Sequence, residues 1–473
     1  MKLNVSKMRY VSQIFQPVIS IPKNAKIKNT DITCKSQKLL LECGLIRPTS
    51  SGFFSLLPLA QRSVEKLIHL IRRHIEAAGA QRITLPALTA ESLWERTGRL
   101  DEVGVELMKM EDRHGKKYLL APTHEEAIAD LLADVGPISY KQLPLLLYQV
   151  SSKYRDERRP KHGLLRAREF LMLDAYAAHA HNPADSHNPT ESNNPADSHN
   201  PAGSHAEPDV YARLTNAYAQ IFQELQLPVY RVAAPAGDMG GSVSHEWQLR
   251  AAAGEDQIAV CPSCSHATLD TSGSGCGRCG KEMEIANSIE VGHTFVLGTR
   301  YSEPLRALVV PAAGSTRPLA MSCYGIGITR LFAAGVEALS SEKSLRWPEG
   351  IAPYSAIIIG PKEGSREWSQ HGWEAVQRVY RAAAAVPALG GDVLLDDRHG
   401  LTIGKRLLMA DRMGYPYIVV CGKSTLDPVP KYEVYRSEAH HATQPELLTL
   451  EELVDYLSQR TIRVNKAMHS VNL

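Results

Sequence analysis

The sequence predicts an α+β chain with two folded parts, in which a smaller α/β domain follows a larger first domain. Two observations predict the first domain. One is a long amphipathic helix pattern at 58–80, and the other is a pair of strand-like apolar runs, 145–150 and 169–173, that flank a turn and predict an antiparallel hairpin. Alternating strand and helix patterns from residue 351 onward predict the second domain.

Length and composition are those of an ordinary globular protein. The 473 residues suffice for about three domains, and 44% hydrophobic with 22% charged residues is typical of globular chains. No apolar run approaches the ~18 residues that a membrane span needs, so we expect no membrane association. The net charge of +2 means that any nucleic-acid surface must come from local clustering. Eight cysteines in so long a chain indicate a reducing compartment rather than a disulfide framework.

The first thirty residues contain six basic residues, and no acid precedes Asp31. Basic residues interspersed with serine and apolar residues, without a continuous apolar core, are typical of a mitochondrial presequence. We therefore predict that residues 1–30 are a presequence outside the fold, with import into the mitochondrial matrix. The plainer interpretation is a disordered basic tail.

The segment 58–80 carries an apolar stripe at helical spacing and ends at Gly79, a natural stop for a helix. A strand-like run, 83–86, follows it and ends at Pro86. By themselves these elements indicate core structure.

The phrase LLAPTHEEAIADLL, 119–132, places Thr123 just before an acidic helix start at Glu125 and Glu126. The plainer role for Thr123 is a helix N-cap, with the two glutamates favouring the positive end of the helix.

The stretch from Lys153 to Asp174 is the most strongly charged of the chain. Its seven basic residues are Lys153, Arg155, Arg158, Arg159, Lys161, Arg166 and Arg168. Planar arginine forks suit bidentate binding of phosphate or carboxylate groups. The plainer alternatives are a solvated basic hairpin or a patch that contacts a nucleic-acid backbone.

Residues 181–204 are four copies of a hexapeptide rich in His, Asn, Pro and Ser. Because such a segment cannot bury a core, we predict a disordered loop over 181–205. A helix, 209–225, follows it, and then the phrase GGSVSHEWQL, 240–249, whose glycines permit close approach of a ligand to the backbone.

Two C-x-x-C pairs separated by eleven residues occupy 261–279. Four thiolates at this spacing predict a closed, tetrahedral structural zinc site formed by Cys261, Cys264, Cys276 and Cys279. The alternative is four reduced cysteines that hold no metal.

Two strand patterns follow, at 289–305 and at the start of 321–339. The second contains Gly325 and Gly327 and runs into Arg330 and an apolar helix. A glycine-rich strand-to-helix turn is a weak signal alone. From Ile351 strands and helices alternate to the end, with a basic phrase at 394–407.

Taken together, these phrases resemble class IIa aminoacyl-tRNA synthetases. The helix, strand and Pro86 resemble motif 1, which implies a homodimer in that family. R-x-E followed by G-L-x-R-x-R-E-F resembles motif 2 in its prolyl form, and the segment around Arg330 resembles motif 3. The resemblance implies a class II catalytic domain over 31–345, an antiparallel sheet with flanking helices, and an anticodon-binding domain over 351–473.

The resemblance also implies site residues and cofactors. ATP with Mg²⁺ is expected at Arg155, Glu157, Arg166, Phe170, Gly325, Gly327 and Arg330, of which Arg155 and Arg330 are the catalytic pair. L-Proline is expected at Thr123, Glu125, Arg155, Ser242, Ser244 and His245, and tRNA at Arg398, Lys405 and Arg406.

The implied function is ATP-dependent ligation of L-proline to tRNA(Pro) through a prolyl-adenylate, for mitochondrial translation. Two alternatives remain open at this stage. One is a sister ligase for threonine or histidine, and the other is a non-catalytic, synthetase-like RNA-binding protein.

Overall fold

The computed structural model describes residues 8–16, 27, 29–180, 210–273, 275–437 and 444–467. The hexapeptide repeat and most of the predicted presequence lie outside these ranges, so those two predictions concern residues that are not described.

Within the described residues, a nine-stranded sheet forms the centre of the first domain. Its strands are β3 (Gln81–Arg82), β8 (Leu145–Tyr154), β9 (Glu169–His179), β10 (Val229–Ala233), β11 (Val243–Arg250), β12 (Asp256–Val260), β13 (Ala267–Thr268), β14 (Glu284–Gly298) and β17 (Ala320–Gly327). The order is β10-β11-β14-β17-β9-β8-β3, with β12 and β13 beside the start of β14. All pairs are antiparallel except β3 with β8. The predicted antiparallel sheet is therefore confirmed.

Smaller sheets and helices surround this centre. The small strands are β1 (Ile46–Ser50), β2 (Phe53–Leu56), β4 (Leu88–Ala90), β5 (Met108–Glu111), β6 (Lys117–Leu120), β7 (Ile138–Ser139), β15 (Leu308–Val310) and β16 (Arg317–Pro318). The helices are α1 (Lys35–Glu42), α2 (Pro58–Ala77), α3 (Glu91–Arg96), α4 (Arg99–Glu102), α5 (Glu125–Asp134), α6 (Val210–Glu224), α7 (Ser302–Leu305) and α8 (Ile328–Leu339).

Each face of the sheet has its own apolar core, because side chains alternate along a strand. On β9, Ala175 and Ala177 join the core formed with α1, α2, α6 and α8. Their neighbours Tyr176 and Ala178 join the opposite core, which includes Ile128 of α5. Both faces of these strands are therefore buried under helices.

Two local predictions have different outcomes. The hairpin of β8 and β9 is confirmed, with partners running from Leu145 opposite Ala178 to Tyr154 opposite Glu169. The predicted strand at 83–86 is wrong, because the ladder with β8 ends at Arg82. Beyond it the chain stays beside β8 through single hydrogen bonds, such as Leu85 N–H to the side chain of Gln149 at 3.1 Å.

The second domain is a mixed sheet with helices, as predicted. Its strands are β18 (Ala356–Ile359), β19 (Val393–Asp396), β20 (Tyr417–Val420), β21 (Tyr432–Arg436) and β22 (Glu446–Leu448), and its helices are α9 (Arg366–Ala384), α10 (Ile403–Arg412) and α11 (Leu450–Ala467). Strand β18 is parallel to β19 and β20, whereas β21 and β22 are antiparallel additions. Among the described helices of both domains, none combines the length and apolar character needed to cross a bilayer.

Part of the segment predicted as a presequence packs against the second domain. Tyr10 forms a parallel bridge with Leu395 of β19, and the Leu395 N–H donates to the Arg9 carbonyl at 2.9 Å. The backbone N–H of Ser12 donates to a carboxylate oxygen of Asp397 at 3.0 Å. Gln16 reaches the first domain through the carbonyl of Cys43 at 3.0 Å. Residues 8–16 therefore connect the two domains, and the prediction that the whole segment 1–30 lies outside the fold is wrong for these residues.

Candidate active site

A cavity of about 320 Å³ opens on the α5 face of the large sheet. Three adjacent strands form its floor, and alternate residues point into it: Phe170, Met172 and Asp174 from β9, His293 and Phe295 from β14, and Cys323, Gly325 and Gly327 from β17. Such a concave site, lined by apolar groups with a few convergent polar ones, is typical of a small-molecule pocket.

Two arginines mark one end of the cavity. The guanidinium carbon of Arg155 lies 5.3 Å from the centroid of the Phe170 ring. Desolvation, followed by the charge of Arg330, lowers the pKa of Arg155, although the group stays protonated because arginine begins so high. Among the described residues, no carboxylate oxygen lies within ion-pair distance of Arg155. An uncompensated guanidinium beside a second one is suited to an anionic ligand such as a polyphosphate.

Arg330, at the start of α8, is held from two sides. Its Nε donates to the Leu165 carbonyl at 2.9 Å, and its Nη1 donates to the Glu290 carbonyl at 3.2 Å. These contacts fix the direction of the guanidinium toward the cavity.

Glu290 and His293 connect this end to the cavity floor. The Glu290 carboxylate accepts from Nδ1 of His293 at 2.9 Å and lies 3.7 Å from Nη1 of Arg330. Desolvation works against ionisation of Glu290, but the His293 hydrogen bond and the charges of Arg330 and Arg155 lower its pKa. The His293 ring stacks on Phe295 with centroids 3.9 Å apart.

The opposite end of the cavity presents a carboxylate and a hydroxyl. The Thr123 hydroxyl donates to the Glu125 carboxylate, and both residues line the cavity. Helix α5 begins at Glu125 with His124 as its flanking residue, and no side chain caps it. The N-cap role considered for Thr123 is therefore wrong, because its hydroxyl bonds to Glu125 instead of a backbone N–H.

Arg99 lies behind this pair. Its Nη1 contacts Glu126 at 3.0 Å and Glu125 at 3.9 Å, and its guanidinium stacks on Trp94. Arg99 therefore pairs closely with Glu126 and less closely with Glu125, which lines the cavity.

Glu157 and Arg166, two of the predicted ATP residues, do not line the cavity. The Glu157 carboxylate accepts from Nε and contacts Nη2 of Arg166, each at 2.9 Å. Nη1 of Arg166 also donates to Glu255 at 2.9 Å. The pair thus links the two ends of the loop between β8 and β9, beside the cavity.

Two residues of β11 that were predicted to bind proline, Ser244 and His245, point to opposite faces of the sheet. Ser244 is opposite Phe295 in the ladder and so points to the cavity face, where it bonds to Nε2 of His293 at 2.6 Å and supports that ring from the side. His245 points the other way and bonds to the Tyr211 hydroxyl at 2.6 Å. Burial lowers the pKa of His245 to about 4, with smaller contributions from Arg231 and His293. Ser242 is exposed and outside the cavity lining.

Gly240 and Gly241, just before β11, lie in close contact with other parts of the same chain. Gly241 has φ +104°, and a Cβ there would lie 2.0 Å from the Val296 carbonyl oxygen. The group that approaches the backbone is β14 of the same chain at Gly241 and the Arg300 side chain at Gly240, so close approach of a ligand at these glycines stays a prediction.

The four predicted zinc ligands come together. Among Cys261, Cys264, Cys276 and Cys279, all sulfur atoms lie within 4.8 Å of one another, and two pairs are 3.5 Å and 3.6 Å apart. A tetrahedral zinc with Zn–S of about 2.3 Å places its sulfurs about 3.8 Å apart. The four thiols are free of disulfides, so the donor set fits zinc.

The three predicted tRNA residues of the second domain differ in accessibility. Lys405 is exposed, and Arg398 is half-buried with its fork on Asp396 at 2.6 Å and 2.9 Å. Arg406 is 0% exposed and donates to the Gly360 carbonyl at 2.6 Å. The prediction of Arg406 as a tRNA contact is wrong, because its guanidinium is part of the domain core.

A larger cleft of about 1110 Å³ lies between the two domains. Its basic residues already have partners: Arg62 and Lys66 both pair with Asp392, and Arg73 pairs with Glu224. The cleft therefore resembles a domain contact more than a ligand site.

Sequence reasoning missed Glu290, His293, Arg99 and Asp174 as cavity residues. The strand pattern over 289–305 contained the first two, but nothing in the alternation alone indicates which face holds a site. Residues three apart on a regular strand point to opposite faces, so the sequence carried no signal for this pair. A register shift in the ladder with β11, between Glu290 and Gly292, is what lets the two side chains meet.

Comparison with known proteins agrees with this arrangement. The family model described as "tRNA synthetase class II core domain (G, H, P, S and T)" matches residues 108–191, and the "Anticodon binding domain" model matches residues 356–460. A solved structure of Giardia lamblia prolyl-tRNA synthetase with prolyl-adenylate aligns with a TM-score of 0.70 at 17% identity, covering 92% of this chain and 81% of that one. Fold and site thus define a class II aminoacyl-tRNA synthetase.

Two curated relatives specify the family. "Probable proline--tRNA ligase, mitochondrial" of Homo sapiens is 42% identical over 460 residues, which are 95% of this chain and 90% of that protein. The Rattus norvegicus protein of the same name is 42% identical over 437 residues, 90% and 86% of the two chains. The chain belongs to the mitochondrial proline–tRNA ligase family.

Proposed function

We propose that this chain joins L-proline to tRNA(Pro) in two steps in the mitochondrial matrix, first forming prolyl-adenylate from proline and ATP. One observation carries the proposal. A single cavity has two neighbouring guanidinium groups, Arg155 and Arg330, at one end and the Thr123–Glu125 pair at the other, and of the two arginines only Arg330 has a carboxylate, that of Glu290, within ion-pair distance among the described residues. The arginines suit the phosphates of a nucleoside triphosphate, and the carboxylate with the hydroxyl suits the ammonium of an amino acid.

At the amino-acid end, Glu125 and Thr123 receive the secondary ammonium of proline. A prolinium nitrogen has two N–H donors and a positive charge, and a carboxylate beside a hydroxyl accepts both. The proline carboxylate then points along the floor toward Arg155.

At the nucleotide end, Arg155 binds the α-phosphate and Arg330 the γ-phosphate, with the adenine on Phe170. The carboxylate oxygen attacks the α-phosphorus in line, a C(O)O–P bond forms, and the bond to pyrophosphate breaks. No proton is removed in this step because the carboxylate is already ionised. The arginines stabilise charge on the phosphates, and the walls hold the reactants in line.

Mg²⁺ would neutralise phosphate charge when bound. Such ions usually take one or two carboxylates together with phosphate oxygens. Glu290 fits this role better than the expected Glu157, because Glu290 lines the cavity while Glu157 is committed to Arg166. Ser244 supports this end of the cavity indirectly, because it bonds to His293 and His293 bonds to Glu290.

In the second step the terminal ribose hydroxyl of the tRNA attacks the prolyl carbonyl carbon and releases AMP. Arg398 and Lys405 are the proposed contacts of the second domain with the tRNA. Trp368 and His399, with ring centroids 4.8 Å apart, lie beside Arg398 and are suited to stacking on unpaired bases.

Three further proposals come from the family and the sequence. The chain works as a homodimer, the four cysteines hold one structural zinc ion, and residues within 1–30 direct import. Sedimentation, elemental analysis and import into isolated mitochondria test them in turn.

The deciding experiment is amino-acid-dependent ATP–pyrophosphate exchange with proline, threonine, histidine and alanine. Proline should give by far the largest kcat/KM. Exchange with threonine or histidine instead would establish a sister ligase, and no exchange with any of them would favour an RNA-binding protein without catalysis.

A further inference from the structure

Lys153 lies beneath the amino-acid end of the cavity and is 0% exposed. Its ammonium is 2.8 Å from the Asp174 carboxylate, 2.8 Å from Nδ1 of His124 and 2.7 Å from the Ser151 hydroxyl. A buried ammonium is stable only when paired and hydrogen-bonded; here Asp174 supplies the ion pair, and His124 and Ser151 supply the hydrogen bonds.

His124 transmits this contact to the residues on either side of it. Its Nε2 lies 3.0 Å from the Pro86 carbonyl, which can only accept, so Nε2 carries the proton and Nδ1 accepts from Lys153. Its backbone N–H donates to the Tyr176 hydroxyl at 3.1 Å. His124 is therefore fixed by side chain and backbone alike, and with it the positions of Thr123 and Glu125.

Asp174 completes the network and also faces the cavity. Its Oδ2 accepts from the Tyr176 hydroxyl at 2.7 Å and from Nε2 of Gln149 at 3.0 Å, while Lys153 lies at Oδ1. Without the lysine, the carboxylates of Asp174 and Glu125 would both face the cavity without a buried counter-charge for Asp174. A second anion would draw a substrate ammonium away from Glu125.

Building on the proposed proline activation, we infer that Lys153 is a positioning residue for the amino acid. It holds the Thr123–Glu125 segment through His124 and cancels the charge of Asp174, so that Glu125 receives the substrate ammonium. The substrate ammonium therefore binds at Glu125 and not at Asp174. ATP binding at the arginine end is independent of Lys153.

The test measures KM for proline and for ATP separately by pyrophosphate exchange. Lys153→Met should raise KM for proline by at least about tenfold and leave KM for ATP within about twofold, the pattern of a lost ground-state contact with one substrate. Because this variant leaves Asp174 unpaired in the interior, Lys153→Met with Asp174→Asn removes both charges and is measured in parallel. It should still show a raised KM for proline, since His124 has lost its donor.

Substitutions of His124, the hydrogen-bond partner of Lys153, provide a second test of the network. His124→Ala should raise KM for proline, and His124→Asn should restore most of the loss, because the asparagine oxygen can accept from Lys153 where Nδ1 did. A purely structural role would not produce this rescue. Lys66→Met is the matched control: Lys66 pairs with Asp392 at the domain contact, so its loss should leave KM for proline unchanged.

The outcomes separate the two proposals. Absence of proline-dependent exchange in the unaltered protein would overturn the proposed function. With that exchange present, a double variant that binds proline normally would overturn the role of Lys153. Equal increases in KM for proline and ATP would do the same.

Discussion

The hydroxyl of Ser244 lies 2.6 Å from Nε2 of His293, on the β11 side of the cavity floor. Since Nδ1 of the same ring donates to Glu290, the serine hydroxyl can donate to Nε2 and fix the ring plane. Glu290 in turn lies against Arg330. A serine that does not line the cavity thus supports a residue at its nucleotide end.

Ser244→Ala should therefore weaken ATP binding. A neutral hydrogen bond contributes about 0.5–1.5 kcal/mol, so KM for ATP should rise by between about twofold and tenfold. Exchange kinetics at saturating proline measure this. Ser55→Ala, at an exposed serine of β2, is the control and should change nothing. A rise in KM for proline alone would show that Ser244 serves the amino acid instead.

Arg155→Lys should impair adenylate formation far more than folding. Lysine keeps the charge but loses the planar pair of donors, and a hydrogen bond to a charged group is worth about 1.5–3 kcal/mol. We expect proline-dependent exchange to fall by at least about tenfold, with little change in Tm. Arg158→Lys, at an exposed arginine of the same loop, should retain activity. Exchange at the unaltered rate in Arg155→Lys would mean that the hairpin is only a basic surface.

The purified protein should contain one zinc per chain, and Cys264→Ser should release it. Loss of a structural zinc removes binding free energy that stabilises the folded state, so Tm should fall as well. Elemental analysis and thermal unfolding measure both effects. Cys34→Ser, at a half-buried cysteine outside the cluster, should keep the metal. Metal-free protein prepared under reducing conditions would refute the zinc proposal and leave the ligase proposal intact.

Lys405 and Arg406 are adjacent in sequence but should behave differently. Lys405→Met should weaken tRNA binding and reduce its dependence on salt, while leaving tRNA-independent exchange unchanged. Arg406→Met should destabilise the fold by about 1–3 kcal/mol, because the Gly360 carbonyl loses its buried donor. Filter binding at several salt concentrations, together with denaturant unfolding, separates the two effects. Equal losses of tRNA affinity at unchanged stability would restore Arg406 as a contact.

Tyr10 should contribute to stability, although it lies in the basic N-terminal segment. It bridges β19 and packs against the core of the second domain. Tyr10→Ala should lower the free energy of unfolding by at least about 1 kcal/mol, since part of its apolar surface is buried. Phe15→Ala, at a side chain that is 67% exposed, is the matched control. If both variants unfold alike, the segment is not a structural part of the protein.

The sequence by itself determined the elements with strong periodicity and the chemistry of their side chains, but not the end of the short strand at Arg82. Helical spacing at 58–80 was enough for α2, and two apolar runs around a turn were enough for the β8–β9 hairpin. The pairs of cysteines were enough to assemble the four-thiol cluster. These features could be predicted because they depend on local periodicity and on the spacing of cysteines, and both can be read from the sequence alone.

Only the tertiary structure decided which face of each strand and helix holds the site. Ser244 and His245 are consecutive, yet one supports the cavity and the other bonds to α6, because neighbouring side chains of a strand point to opposite faces. Arg406 lies inside for a comparable reason, on the side of α10 that packs on the sheet. Lys153 is one of the seven basic residues of the 153–174 stretch, and nothing in the sequence separates it from the other six. The pairing of β8 with β9 makes it a buried partner of Asp174.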